Sequence, residues 1–137
     1  MGAIGSPIVV GYVDTPEGQA ALDRAIAEAQ QRGARLIVIN SHRGGASLDR
    51  DTALELDETL GSVHSTLHES GVEHEVRQLV RGVAPAEDII AVAEEVDADL
   101  IVIGLRRRTP VGKLIMGSNA QQILLDASCP VLAVKAI

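Results

Sequence analysis

Residues 7–40 read PIVVGYVDTPEGQAALDRAIAEAQQRGARLIVIN, and the fold class follows from this stretch. Its first part, 7–13, is a short β-branched run that is apolar on both faces, which is typical of a buried parallel strand. The middle part, 14–33, repeats alanine, leucine and isoleucine at helical spacing and ends on Gly33, so it predicts an amphipathic helix. The last part, 34–40, predicts a second strand. Together they predict a strand, a crossover helix and a parallel strand.

Three consecutive residues mark the start of this first helix. Thr15 is a candidate N-cap residue, because a threonine hydroxyl can accept a hydrogen bond from a backbone N–H of the first turn. Pro16 suits the first helical position, where no intrahelical N–H is needed. Glu17 then puts negative charge near the positive end of the helix dipole.

The rest of the chain continues the same alternation. In order it predicts a helix (48–70), a more exposed edge strand (72–80), a loop and helix (81–98), a strand (99–104), a helix (118–127) and a last strand (130–137). The order β-α-β-α-β-α-β-α-β predicts an α/β fold, a five-stranded parallel sheet with helices on both faces. The sequence does not fix the strand order. In a doubly wound sheet of order 3-2-1-4-5, the loops that begin at Asp14 and Gly104 would face each other at the carboxyl ends of the strands.

Length and composition narrow the class of protein. The 137 residues suit one domain, 1–137, and with no Phe or Trp and one tyrosine, Tyr12, the core must be aliphatic. An aromatic platform for single-stranded nucleic acid is excluded. The net charge of −7 disfavours nucleic acid and anionic membranes as partners. No apolar run approaches the roughly 20 residues of a membrane span.

Cysteine usage predicts the compartment. Cys129 is the only cysteine, so no intrachain disulfide forms and a reducing, cytoplasmic location is expected. Its surroundings, ASCPVL, favour a small buried residue over a reactive thiol. The chain also lacks a basic segment followed by a short apolar one, so we expect no secretory signal.

A basic loop interrupts this acidic chain. Residues 104–119 read GLRRRTPVGKLIMGSN and contain four cations and three glycines without a nearby acid. Gly117 and Ser118 begin a predicted helix, and the free N–H groups at such a start bind anions. Cations between the glycines add charge complementarity, which predicts a phosphate site. Two alternatives remain: the loop is basic and solvated, and Ser118 is a plain N-cap.

The spacing of the glycines matches neither the Walker P-loop nor the dinucleotide fingerprint. The chain instead resembles the universal stress protein (UspA-like) family in IVVGYVDTPEGQAAL, DADLIVIG and GSNAQQILLDASCPVLAVK, which span nearly its whole length. Nucleotide-binding members carry G-x-x-G, nine residues, then G-[ST]. Gly104, Gly117 and Ser118 match that motif, Arg106 matches a basic residue common in the turn, and Arg107 replaces the second glycine. The resemblance implies an adenine-nucleotide alpha-hydrolase-like fold.

The resemblance also implies where each part of a nucleotide would lie. Gly11 at the end of strand one and Asn119 after the serine complete the candidate site, and the backbone around Ser41 would hold the adenine edge. The family's ribose-binding aspartate aligns with Val13, so Asp14 contacts either the ribose or the helix start. The Arg107 side chain would either fill the space where the phosphate would lie or donate hydrogen bonds to the phosphate.

Metal-binding and catalytic patterns are weaker. His64 and His68 lie four residues apart on an exposed helix face with His74 nearby, a spacing that can hold zinc, but no further ligand is evident. No histidine is placed to activate Ser118. Asp14 is the one evident Mg²⁺ ligand, so at most slow ATP hydrolysis is expected.

Three hypotheses follow. The first is a regulatory stress-response protein that binds ATP, or AMP or ADP, with or without Mg²⁺, at the switch between strands one and four. The second is a UspA-like dimer whose pocket binds nothing and which acts through protein contacts. The third is a hydrolase that depends on an adenine nucleotide.

The last strand predicts a homodimer. In the order 3-2-1-4-5 it is a sheet edge, and Pro130 and Lys135 alone protect it. The bare residues between them are Val131, Leu132, Ala133 and Val134. We expect this strand to pair antiparallel with its copy in a second subunit, as the family resemblance also implies. The alternative is a monomer whose edge is covered.

Overall fold

The computed structural model describes residues 6–13, 15–42, 50–80, 83–105 and 117–136. The strands are β1 (Ile8–Gly11), β2 (Leu36–His42), β3 (His74–Val80), β4 (Leu100–Leu105) and β5 (Val131–Lys135). The helices are α1 (Pro16–Arg32), α2 (Arg50–Ser70), α3 (Pro85–Glu95) and α4 (Ser118–Asp126). Strands and helices alternate as predicted, and the α/β class is confirmed.

The five strands form one parallel sheet in the order β3-β2-β1-β4-β5. The chain moves outward from β1 to β3, then crosses back to β4 on the other side of β1. The doubly wound order 3-2-1-4-5 is therefore confirmed. Because the winding reverses between β1 and β4, a doubly wound sheet of this order has its ligand crevice at the carboxyl ends of these two strands.

Two separate cores cover the two faces of the sheet. Alternate residues of each central strand point to opposite faces, so Val10 joins one core and Val9 the other. The first core packs α1 and α2 on the sheet through Leu22 and Leu67, and the second packs α3 and α4 through Val92 and Ile123. All of these residues are at most 2% exposed. Both cores consist of aliphatic residues apart from Tyr12, as the composition predicted.

The predicted signals at both ends of α1 are present. The Thr15 hydroxyl accepts a hydrogen bond of 3.1 Å from the Gly18 N–H, and Pro16 is the first helical residue. Gly33 ends the helix with φ 64°, a left-handed conformation that glycine adopts without steric cost. The cap at Thr15 fixes where α1 begins, close in sequence to the carboxyl end of β1.

The two edges of the sheet differ in chemistry. On β3, Arg77 donates to Glu75 and, at 2.8 Å, to Glu95 of α3, while Arg35 lies 3.7 Å from Glu75. The hydrogen bond from Arg77 lowers the pKa of the Glu75 carboxyl below its usual value, although partial burial opposes this shift. On β5, Val131 to Val134 are all half-buried aliphatic residues.

Cys129 differs from its prediction. It is half-buried, not fully buried, and packs at the margin of the second core in the turn before β5. Desolvation, with a smaller effect of Asp99, raises the pKa of its thiol, which keeps it protonated at neutral pH. Within the described ranges, no helix has the length and apolarity that a membrane crossing requires.

Candidate functional site

A cleft of about 410 Å³ opens at the carboxyl edge of the sheet. Its apolar floor is formed by isoleucines of β2, α3, β4 and α4: Ile39, Ile89, Ile103 and Ile123. Its polar rim comes from the loop ends and helix starts: Gly11, Thr15, Glu17, Gly18, Ser41, Gly104, Gly117, Ser118 and Asn119. An apolar floor with a polar rim suits a ligand that has one flat, poorly solvated part and one charged part.

Six of the nine predicted nucleotide-binding residues line this one cleft. They are Gly11, Ser41, Gly104, Gly117, Ser118 and Asn119. The other three, Asp14, Arg106 and Arg107, lie outside the described residues. The fold thus brings together the carboxyl ends of three strands and the start of α4, although their contact with a nucleotide stays a prediction.

The start of α4 is open towards the cleft. Gly117, with φ −66° and ψ 159°, is the N-cap residue, so Ser118 is the first helical residue and the alternative of a Ser118 cap is wrong. A glycine cap offers no side chain to the first-turn N–H groups, and no side-chain hydrogen bond caps them in the part of the chain described. A Cβ built on Gly117 would meet no described protein atom within 4 Å. With respect to the described residues, the Cβ position of Gly117 is therefore open, with N–H donors beside it.

Gly104 has a different reason to be glycine. A Cβ at this position would lie 2.2 Å from the backbone carbonyl oxygen of Glu17 in α1. Gly18 is similar, because its Cβ would lie 1.9 Å from the carbonyl oxygen of Val13. The sequence suggested that Gly104 lets a ligand approach, whereas the structure shows that its missing side chain lets α1 pack against β4. Gly18 was not predicted as a site residue, although a glycine in the first helical turn is a usable signal.

Two polar side chains hold the walls of the cleft together. The side-chain oxygen of Asn119, Oδ1, accepts a hydrogen bond of 3.2 Å from the backbone N–H of Ala86, in the first turn of α3. The N-cap residue of α3, Ala84, has no side chain that can do this. Across the sheet, the Asn40 amide donates to the Tyr12 carbonyl oxygen at 3.0 Å and fixes the end of β1 against β2. Asn119, predicted as a ligand residue, thus also has a structural partner.

Ser41 lies in β2, beyond residue 40, where the predicted second strand ended. Pairing of β2 with β3 continues through Ser41 opposite Leu79, so the strand runs past residue 40. The Ser41 hydroxyl donates to Asp88 of α3, a carboxylate that is only 1% exposed. Asp88 was missed by sequence reasoning, because an acidic residue near a helix start is usually a solvated dipole partner.

The predicted histidine cluster forms only in part. The rings of His64 and His74 lie 6.4 Å apart between centroids, and a ring nitrogen of His74 lies 2.8 Å from the Val72 carbonyl oxygen. His68 is exposed on α2. Among the residues that the structure describes, no three His, Cys, Asp or Glu side chains group closely enough to hold a metal ion.

Comparison with known proteins gives a consistent result. The sequence model of the universal stress protein family matches residues 6–135. A universal stress protein of Mycolicibacterium smegmatis is 46% identical over 131 residues, which cover 93% of this chain and 96% of that protein.

Solved structures of similar proteins share the fold. A universal stress protein from Archaeoglobus fulgidus superposes with a TM-score of 0.85 at 41% identity, covering 96% of this chain and all of that one. A structure from the same organism in complex with dAMP gives 0.79 at 36% identity, covering 96% and 99%. A universal stress protein in complex with cAMP gives 0.75 at 26% identity, covering 98% and 100%.

Proposed function

This chain belongs to the universal stress protein family, and on that premise we propose that it binds ATP or a related adenine nucleotide in the cleft between β1 and β4. The observation that carries the proposal is the start of α4, where no side chain caps the first-turn donors and no described atom lies near the Cβ position of Gly117. Two similar proteins have been solved with dAMP and with cAMP. Both ligands combine adenine with a phosphate group, which suits a cleft with an apolar floor and an anion-binding rim.

The phosphate end of the ligand would lie at α4. First-turn N–H groups and the positive end of the helix dipole favour an anion there. Ser118 is exposed at the rim, so its hydroxyl can add a hydrogen bond. Arg106 and Arg107 follow β4 in the chain and would add positive charge, and Arg107 either donates to phosphate or competes for its space.

The base would lie at the end of β2. Ile39 and Ile103 give it flat apolar contacts, and the strand end at Ser41 offers backbone groups that can pair with an adenine edge. The ribose would lie beside Gly11 of β1, which lines the cleft between β2 and β4. A Cβ at Gly11 would lie 2.7 Å from Cδ1 of Ile89, so glycine lets Ile89 pack against the end of β1. Asp14, which follows β1 in the chain, is the candidate partner of the ribose or of a Mg²⁺ ion.

We propose a regulatory and not a catalytic role. No histidine lies in the cleft's described lining to take a proton from the Ser118 hydroxyl. Binding without proficient turnover would make the bound nucleotide a signal in the cytoplasm, read out by protein contacts. At most slow hydrolysis, aided by Mg²⁺ at Asp14, is expected.

We further propose that residues 1–137 form one domain that assembles as a homodimer through β5. The edge of β5 carries aliphatic side chains from Val131 to Val134, and within this strand only Lys135 bears a charge. Antiparallel pairing with the same strand of a second copy would satisfy its edge backbone groups. Neither nucleic acid nor membrane is an expected partner of so acidic a chain.

Isothermal titration calorimetry with ATP, ADP and AMP tests the proposal, each with and without Mg²⁺. We expect saturable binding of one nucleotide per chain, and the Mg²⁺ series reports whether a metal bridges protein and phosphate. Absence of heat with all three nucleotides at millimolar concentration would contradict it. The second hypothesis, a dimer with a non-binding pocket, would then remain.

A further inference from the structure

We propose that the Ser41 side chain selects the base of the bound nucleotide, because Asp88 leaves its hydroxyl able to act only as a hydrogen-bond acceptor towards the cleft. The ligand group it selects is a hydrogen-bond donor, namely the exocyclic amine of a 6-aminopurine. This inference rests on the proposed function, since it concerns the base end of the same cleft. It assigns a role to a side chain at a point where backbone recognition alone was expected.

The position of Ser41 follows from strand alternation. In β2, Ile39 and Ser41 point to the face covered by α3 and α4, and Ile39 belongs to that core and lines the cleft. The residue between them, Asn40, points to the opposite face and bonds to the Tyr12 carbonyl oxygen. Ser41 is 8% exposed and lines the cleft just beyond Ile39. Its hydroxyl is therefore at the inner end of the apolar floor.

Asp88 decides how that hydroxyl can bond. The carboxylate comes from the first turn of α3, is 1% exposed, and accepts the Ser41 hydroxyl hydrogen. A serine hydroxyl has one hydrogen and two lone pairs, so once the hydrogen is given to Asp88 only acceptor capacity remains. A carboxylate binds a hydroxyl hydrogen more strongly than a neutral acceptor does. A ligand atom that contacts the Ser41 oxygen must then donate.

This polarity separates the purine bases. Adenine carries an amine at position 6, whereas hypoxanthine and guanine carry a carbonyl oxygen there. A carbonyl oxygen facing Ser41 would place two acceptors against each other, the carbonyl oxygen and the serine oxygen, beside a residue that is only 8% exposed. Neither acceptor would then have a hydrogen-bond donor from the other. Sites that hydrogen-bond one ligand group discriminate strongly against an analogue that lacks it, because the buried protein group is left unpaired.

Calorimetric titration of three nucleotides tests the inference. AMP carries the amine, purine riboside 5′-monophosphate lacks only that amine, and IMP replaces it with a carbonyl. For the wild-type chain we expect the desamino analogue to bind about tenfold more weakly than AMP, and IMP more weakly still. Equal affinity for AMP and the desamino analogue would overturn the inference without any variant.

Ser41→Ala then shows whether this side chain is responsible. We expect it to weaken AMP to the affinity of the desamino analogue and to leave the analogue unchanged. The matched control is Ser65→Ala, a serine exposed on α2, which should alter neither affinity. If Ser41→Ala weakens both ligands equally, the side chain supports the cleft structurally and the inference is wrong. Thermal unfolding checks each variant, and if Ser41→Ala does not fold, the Asp88→Asn comparison tests the side chain instead.

Asp88→Asn tests the orienting role of the carboxylate. The amide has the same shape but can donate to the Ser41 oxygen, which frees the hydroxyl hydrogen to turn towards the ligand. We expect the affinity for IMP to rise about fivefold relative to AMP, and an unchanged ratio would overturn the role given to Asp88. If wild type binds none of the three nucleotides, the proposed function fails and this inference fails with it. If AMP and its desamino analogue bind equally tightly, this inference is wrong and the proposed function stands.

Discussion

Replacement of Gly117 by valine should abolish most nucleotide affinity while leaving the fold intact. The backbone there, at φ −66° and ψ 159°, is extended and suits a β-branched residue. No described protein atom lies within 4 Å of a Cβ at this position, so the new side chain would not clash with the described part of the chain. With ligand, it would occupy the space next to the first-turn donors of α4, where we place the phosphate.

The size of the effect follows from the hydrogen bonds that the valine side chain would displace. A hydrogen bond from backbone N–H to a charged phosphate contributes about 1.5–3 kcal/mol. Since 1.4 kcal/mol is a factor of ten, displacement of one such bond weakens binding about ten- to hundredfold. Glycine is a better N-cap than valine, so we expect a stability loss below about 1 kcal/mol. For a chain of this length that is a fall of roughly 4 °C in Tm.

Calorimetry with AMP and a thermal melt measure the two effects separately. Gly61→Val is the matched control, since Gly61 is exposed on α2 and its Cβ would also meet nothing within 4 Å among the described atoms. It should leave AMP affinity unchanged. Gly104→Ala should instead lower the Tm, because its Cβ would lie 2.2 Å from the Glu17 carbonyl oxygen and must disturb the packing of α1. A folded Gly117→Val protein with wild-type AMP affinity would refute α4 as the phosphate site.

Three further predictions concern assembly and stability. Val134→Pro should shift the protein from dimer to monomer in sedimentation velocity, because proline removes a ladder donor; a wild type that is already monomeric at tens of micromolar would contradict it. Asp97→Gly should raise the free energy of unfolding by about 1 kcal/mol in urea titration, since Asp97 has a left-handed φ of 55°. Arg77→Met should cost at most about 1 kcal/mol near pH 7. Because the folded-state pKa of Glu75 is lowered, this contribution is present above the ordinary pKa of 4.5 and is lost as pH falls through the folded-state value; a difference from wild type that grows in acid would contradict it.

The sequence predicted the fold well because its local signals agree with one another. The start of α1 at Thr15 and its end at Gly33 are set by residues whose preference is intrinsic. Strand ends were less predictable, because β2 continues to His42 only through pairing with β3, a contact that is distant in sequence. The predicted second strand ended at residue 40 for that reason.

The candidate site was predicted in its location and less well in its details. Topology alone brings the strand ends together, so six of the nine predicted residues meet at one cleft. The role of Gly104 depends on how closely α1 passes over β4, which no pattern in the sequence records. The pairing of Ser41 with Asp88 likewise joins residues that are 47 positions apart. Such contacts follow from packing and can be found only in the folded chain.

The two edges of the sheet differ, and this difference limits how many copies of the protein could assemble through them. A sheet with two bare edges could add copies at both sides and extend into a ribbon without end. Here one margin bears the ionic network of Arg77, Glu75 and Glu95, so an arriving strand would have to strip water from charged groups there. The opposite margin at β5 is aliphatic, and once two such margins join, neither copy has another to offer. If β5 pairs with its copy as proposed, assembly through this sheet would stop at a pair, and the aliphatic edge would not be left to template a fibre.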